Sequence, residues 1–163
     1  MNGQEIERKF VLKRLPQQVL AISGTQILQG YLVNDAHTEV RVRQHGKRHF
    51  LTVKEGSGLV RHEVEVPISA DQFCALWPST LGRRLEKTRT VVRHEGHRLE
   101  IDRYEGDLDP LLIGEVEFSS VEESERFEKP EYFGAVVPVE KALKMICDPD
   151  LAHCVQRLAL RLE

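Results

Sequence analysis

The sequence predicts an α+β domain in which one antiparallel sheet of eight strands carries the fold and helices lie at its ends. Three observations lead there. Eight segments alternate apolar and polar residues between turn signals, the period-two pattern of a strand. Most connections between them are short, which suits antiparallel neighbours; a parallel crossover needs about a dozen residues or more. Helical periodicity is confined to brief stretches between strands and to the last third of the chain. At 163 residues, with 40% hydrophobic and 6% aromatic content, the chain is expected to form a single domain over 1–163 with an aliphatic core.

The strand segments fall at about 4–12, 27–34, 38–44, 48–54, 60–67, 86–94, 97–104 and 112–118. Between the first two, Pro16 is placed to open a helix running to about Ile22. His45-Gly46 and Glu95-Gly96 read as tight hairpins, Gly56-Ser57-Gly58 and Gly106-Asp107 as longer turns. Ser69-x-x-Gln72 is a capping box ahead of Phe73-Cys74-Ala75-Leu76-Trp77, a helix that Pro78 is expected to stop and Trp77 to anchor in the core. Ser120-x-x-Glu123 opens a short acidic helix, and 139–147 and 149–162 have helical periodicity, the second with Asp148 as N-cap. The sheet thus spans about 4–118 and the closing helices about 120–162.

Composition excludes several classes. Charged residues make up 30%, yet 23 basic and 26 acidic side chains nearly cancel to −3, so neither a basic nucleic-acid surface nor a like-charge tail is expected. No apolar run approaches the roughly 18 residues of a membrane span. The N-terminus is polar, which predicts no signal peptide and a cytoplasmic location. Cys74, Cys147 and Cys154 lack metal or redox spacing and read as small buried hydrophobes. The seven histidines show no zinc spacing.

The charges themselves alternate. Glu5, Glu7 and Lys9 share one face of the first strand. The same holds for Glu39, Arg41 and Arg43, for Thr52 and Lys54, and for Glu63 and Glu65. Lys87 and Arg89, Glu100 and Asp102, and Glu115 and Glu117 complete the set. A solvated sheet face would alternate too. These charges, however, come as same-sign pairs segregated by strand, with little uncharged polar filler, and eight strands suffice to close a barrel and turn the face inward. Periodicity permits closure without showing it.

If the face converges, its nine carboxylates need cations among them, because like charges in a low-dielectric site raise each other's pKa. Mg²⁺ or Mn²⁺ would serve, being hard ions that take oxygen ligands. The six bases Lys9, Arg41, Arg43, Lys54, Lys87 and Arg89 in turn need an anion of several charges, and guanidinium forks match phosphate oxygens. Carboxylates, metal and a cationic clamp are the equipment of phosphoryl transfer. No Gly-rich phosphate loop is present, so side chains would hold the phosphate.

Glu5-Ile6-Glu7-Arg8-Lys9-Phe10 resembles the ExExK signature of the CYTH superfamily, the triphosphate tunnel metalloenzymes. Further matching blocks follow in the family's order: Gln29-Gly30-Tyr31-Leu32, Glu39-Val40-Arg41-Val42-Arg43, Phe50–Lys54, Arg61–Glu65, Glu86–Arg89, Leu99–Asp102 and Gly114–Phe118. Leu76-Trp77-Pro78, then Gly82-Arg83-Arg84, is similar to the short bacterial inorganic triphosphatases. The resemblance implies a closed eight-stranded antiparallel β-barrel whose charged tunnel binds a linear triphosphate with divalent metal. It implies Glu5, Glu7, Glu115 and Glu117 as metal ligands, with Glu63, Glu65, Glu100 and Asp102 for a second metal or for the attacking water. Lys9, Arg41, Arg43, Lys54, Lys87 and Arg89 become the phosphate clamp, Lys9 also serving catalysis with Glu63 and Glu65. Tyr31 is either a proton acceptor whose phenol pKa falls in a cationic tunnel or a tyrosine packed beside the wall.

The expected reaction is hydrolysis of tripolyphosphate to diphosphate and phosphate. The alternatives are a nucleoside or thiamine triphosphatase, an adenylate cyclase of the same superfamily, or a non-catalytic polyphosphate-binding module. The partner is a small-molecule triphosphate, without nucleic acid or membrane, and a homodimer is allowed. Two departures concern one tunnel end. Thr90 stands where a tyrosine is common, and Ala142 and Leu143 stand where arginine and tyrosine are common, with Lys141 and Lys144 either solvated helix lysines or, one of them, a substitute cation.

Overall fold

The structure, a computed structural model, describes residues 2–137. Its strands are β1 (Asn2–Leu12), β2 (Thr25–Asn34), β3 (Thr38–His45), β4 (Arg48–Glu55), β5 (Val60–Ile68), β6 (Arg84–His94), β7 (His97–Tyr104), β8 (Leu112–Glu117) and β9 (Phe133–Val137). The helices are α1 (Gln17–Leu20), α2 (Ala70–Leu76) and α3 (Val121–Arg126), with 3₁₀ turns at Trp77–Thr80 and Gly106–Leu108. The helices expected at 139–147 and 149–162 lie outside the described residues, as do Cys147, Cys154 and Lys141 to Lys144.

The first eight strands form a closed antiparallel ring in the order β5-β4-β3-β2-β6-β7-β8-β1, with β1 returning to β5. Closure depends on the length of β1. On one edge it pairs with β8, Glu7 opposite Glu117 and Lys9 opposite Glu115. On the other edge, residues Asn2 to Ile6 pair with β5, and β9 then takes the rest, Lys9 opposite Val137 and Leu12 opposite Phe133. The strand β9 was not foreseen: the Phe133-Gly134 segment reads locally as a turn, and only the free stretch of β1 edge recruits it.

Local signals set the connections. Glu95 and Gly96 both take left-handed backbone, φ 49° and 86°, as a two-residue hairpin loop of type I′ requires. Ser69 caps α2 through the expected box, its hydroxyl accepting from Gln72 N at 3.1 Å while Gln72 Oε1 accepts from Ser69 N at 2.8 Å. Ser120 caps α3 likewise. Three expectations are corrected. Pro16 is the extended N-cap of α1, not its first residue, and α1 stops at Leu20. Pro78 does not end the backbone spiral after α2 but sits in the first turn of a 3₁₀ segment, where its missing N–H costs nothing. Cys74 is exposed on α2, not buried.

The main apolar core lies outside the barrel. Ile6, Phe10, Leu12, Leu99, Ile101 and Val116 point away from the ring and pack with Val19, Phe118, Phe127 and Phe133 from the surrounding segments. A second cluster uses inward positions. Val11, Tyr31, Leu85, Tyr104 and Ile113, with Leu108 and Leu111 from the β7–β8 loop, fill one end of the barrel interior. The 3₁₀ turn after α2 docks on β2 at Gly30, where any Cβ would stand 2.5 Å from the Thr80 hydroxyl. Trp77 is half-buried there, stacked on Phe73 with the Arg84 guanidinium 4.4 Å from its ring.

Candidate active site

Above the apolar plug the inward positions are almost all charged, and they line one cavity of about 680 Å³. All six predicted bases, Lys9, Arg41, Arg43, Lys54, Lys87 and Arg89, are on its wall. So are Glu5, Glu7, Glu63, Glu65, Glu100, Glu115 and Glu117. Ring order sorts them by sign. The glutamates of β5, β1, β8 and β7 sit on four adjacent strands, while Lys54, Arg41, Arg43, Lys87 and Arg89 come from β4, β3 and β6 opposite. Lys9 of β1 and, at the rim, Arg98 of β7 are the cations among the cavity-lining residues of the acidic side. Gly3, Gln4, Phe118 and Ser119 form the rim.

Ion pairs knit the two walls together. Lys54 Nζ donates to Glu5 Oε1 at 2.5 Å and lies 3.1 Å from Glu63 Oε2. Lys9 Nζ lies 2.6 Å from Glu115 Oε1 and 2.9 Å from Glu7 Oε1. Arg43 Nη2 and the Thr52 hydroxyl both donate to Glu65 Oε2, at 2.7 and 2.9 Å. Arg89 donates to Glu115 Oε2 at 2.7 Å and also to Glu100, which Arg98 grips from the rim. Arg41 Nε and Arg43 Nε are buried with no hydrogen-bond acceptor. Two guanidinium edges in the basic wall are therefore unsatisfied by protein, a cost that a bound oxyanion would remove.

Two predicted site residues are not on the wall. Asp102 is fully buried behind it, with Arg89 Nε and Nη2 donating to its two oxygens at 2.7 and 2.6 Å and Lys87 Nζ at 2.5 Å. Its carboxylate holds two clamp cations from behind. Tyr31 is 2% exposed in the plug, where its phenol oxygen accepts from Gln29. Burial, reinforced by Glu39, pushes its pKa above the ordinary phenol value. Of the two readings of Tyr31 the structure has the packed tyrosine, and the phenol pKa does not fall because burial dominates. Thr90 is another correction: it lies on the outer face of β6, opposite in pleat to Lys87 and Arg89, and so makes no contact at the cavity.

Burial and crowding set the protonation states. Burial, then the neighbouring Glu7, raises Glu5 to about 7, and its carboxyl is hydrogen-bonded to Glu63. Burial opposes ionisation of Glu63 as well, but that hydrogen bond and Lys54 bring it down to about 2. Glu7 is likewise brought to about 2 against burial by Lys9 and Lys54. Glu115 is held well below the usual range by Lys9 and Arg89 despite burial. On the basic wall, burial and then Arg41 lower Arg43 to about 10. Burial lowers Lys87 to about 8, Asp102 resisting and Arg89 assisting.

The donor chemistry of this set suits a divalent cation, although among the described residues no three acidic side chains stand close enough together to ligate one as they are. The glutamates offer only hard oxygen, and Glu5 and Glu63 share a proton where a metal would supply the missing positive charge. The residue that sequence reasoning passed over is Arg61. It is 6% exposed, and its Nη2 donates to Glu7 Oε1 at 2.8 Å and Glu5 Oε2 at 3.3 Å. Its alternation with Glu63 and Glu65 on β5 was the available signal. Arg98, two residues before Glu100, was marked by the same spacing.

Comparison with known proteins agrees with the geometry. The model of the CYTH domain matches residues 3–137. An inorganic triphosphatase of Nitrosomonas europaea is 41% identical over 142 residues, covering 86% of this chain and 93% of the relative. An inorganic triphosphatase of Acetivibrio thermocellus is 33% identical over 137 residues, covering 83% and 86%. Among solved structures, the inorganic triphosphatase NE1496 superposes with a TM-score of 0.61 at 36% identity, covering 96% of this chain and 94% of that one. The closed ring, its charged interior and these matches together place the chain in the CYTH domain family.

Proposed function

We propose that the chain is a divalent-metal-dependent inorganic triphosphatase, hydrolysing tripolyphosphate with one water to diphosphate and orthophosphate inside the barrel, in a cytoplasmic setting. The observation that carries this is the two-walled cavity, acidic on one side and basic on the other, with Arg41 Nε and Arg43 Nε lacking acceptors. Its relatives' names as inorganic triphosphatases support the reaction and substrate.

Arg41, Arg43, Lys54, Lys87, Arg89 and Lys9 bind the phosphate oxygens and offset charge on the departing diphosphate. Glu5, Glu7, Glu115 and Glu117 would hold Mg²⁺ or Mn²⁺, with Glu63 and Glu65 for a second ion or the attacking water. Such an ion, when bound, polarises the terminal phosphoryl group and neutralises its oxygens. Glu63, kept ionised by Glu5 and Lys54, accepts a hydrogen bond from water and orients it. Orientation suffices, because the transition state of phosphoryl transfer is loose and little proton abstraction is needed early. Asp102 positions Lys87 and Arg89, and Glu100 is shared between Arg89 and Arg98.

Glu5→Gln with Glu7→Gln tests the reading. The wild type should release orthophosphate from tripolyphosphate with Mg²⁺ or Mn²⁺. The pair should lose more than about 100-fold, the upper end of what losing even an outer metal partner costs. Phosphate release surviving undiminished overturns the metal assignment. Comparing tripolyphosphate, ATP and thiamine triphosphate as substrates fixes the preference. A cyclic nucleotide from ATP, or binding without turnover, overturns the reaction itself.

A further inference from the structure

On the same inward face as the charged wall, but buried from the cavity, lies an ion pair that no step above uses. Glu39 of β3 is 3% exposed and Arg61 of β5 is 6% exposed, and neither lines the cavity. Each reaches in two directions. Glu39 Oε1 accepts from Arg41 Nη1 at 2.7 Å, while its Oε2 lies 3.7 Å from Arg61 Nη1. Arg61 spends its other terminal nitrogen, Nη2, on Glu7 at 2.8 Å and Glu5 at 3.3 Å. A continuous path of charged contacts thus runs from a phosphate-facing arginine to the two glutamates at the head of the acidic wall.

The chemistry of the two side chains suits a link better than simple neutralisation. A guanidinium is a planar fork whose nitrogens are fixed relative to one another, so fixing one end orients the other. Burying two ions is costly and is offset only by good partners on every side, which both residues have. Neutralising Glu5 and Glu7 would need only a positive charge, and Lys9 and Lys54 already stand beside them. The fork adds direction: Glu7 Oε1 is held jointly by Arg61 and Lys9, and Arg41 is held by one Nη atom while its Nε has no protein acceptor.

We infer that Glu39 and Arg61 are a positioning pair that sets Arg41 and the Glu5–Glu7 carboxylates together, coupling the phosphate clamp to the metal-facing wall. The inference rests on the function proposed above. Its consequence is that each residue of the pair influences the ligand it does not approach: Arg61 influences phosphate binding, Glu39 cation binding.

Two variants separate a link from a mere electric field. Arg61→Lys keeps the charge, but a single nitrogen cannot bridge Glu7 and Glu39. Glu39→Gln/Arg61→Met keeps the net charge and leaves neither position an unpaired buried ion, so it is expected to fold even where a single change does not. Calorimetry on each folded variant measures two affinities: Mn²⁺ alone, and tripolyphosphate in EDTA without metal. Both affinities should fall by about 10- to 100-fold in both variants, the range for removing an outer-shell partner. Either affinity staying within twofold of wild type in the neutral double variant overturns the link, because the pair then serves one wall or none. Loss of metal-free tripolyphosphate affinity in Arg61→Lys supports it; retention there overturns it. A wild type that binds neither probe overturns the proposed function instead.

Discussion

Lys87 is the clamp cation whose charge is most exposed to the pH of the medium. Its ammonium is buried, which lowers its pKa to about 8 with help from Arg89, although Asp102 resists. Below that pH it is cationic and can contact phosphate; above it the neutral amine cannot. The KM for tripolyphosphate should therefore rise between pH 7 and 9, and Lys87→Arg, charged throughout, should flatten that rise. A wild-type KM that is level across the range overturns the role. Residues also show what alternation can and cannot tell. Period two assigned the inward face correctly, down to Arg41 and Glu115, because each pleat reverses the side chain. It carries no information on depth along the barrel axis. Tyr31 and Asp102 share the inward face with the wall residues, yet one lies in the plug and the other is buried against the clamp.

Among the elements, β1 and β9 repay comparison. The hairpins and capping boxes were legible because each depends on residues a few positions apart, such as Glu95-Gly96 or Ser69 and Gln72. The strand β9 depends on where β5 leaves the edge of β1, a relation between segments far apart in sequence. Its packing is close. Phe133 lies over Gly114 of β8, where a Cβ would stand 2.5 Å from its ring and 2.9 Å from Leu12. Gly114→Ala should cost about 1–3 kcal/mol by overpacking. At roughly 2–4 °C per kcal/mol for a chain of this size, thermal denaturation will show a clear drop in midpoint. Phe133→Leu in the same chain should restore part of it. A midpoint unmoved by Gly114→Ala overturns this account of how β9 is seated.

For the molecule as a whole, sequence revealed that acidic pairs and basic pairs lay on separate strands, but not which strands would meet. Ring closure through β1 and β5 makes neighbours of the glutamate-bearing strands and leaves β4, β3 and β6 facing them. A near-zero net charge hides this polarity. The filled end of the barrel adds a further consequence. Val11, Tyr31, Leu85, Tyr104 and Ile113, closed over by Leu108 and Leu111, give the interior a floor. Among the described residues the cavity opens at the rim of Gly3, Gln4 and Ser119, and the filled end leaves a polymer no passage from side to side. Offered a long polyphosphate, the enzyme would take hold of a free terminus, in the manner of an exonuclease on a strand. Early in digestion, the remaining chains should shorten gradually while short products accumulate, whereas scattered internal cuts would point to an opening through the floor.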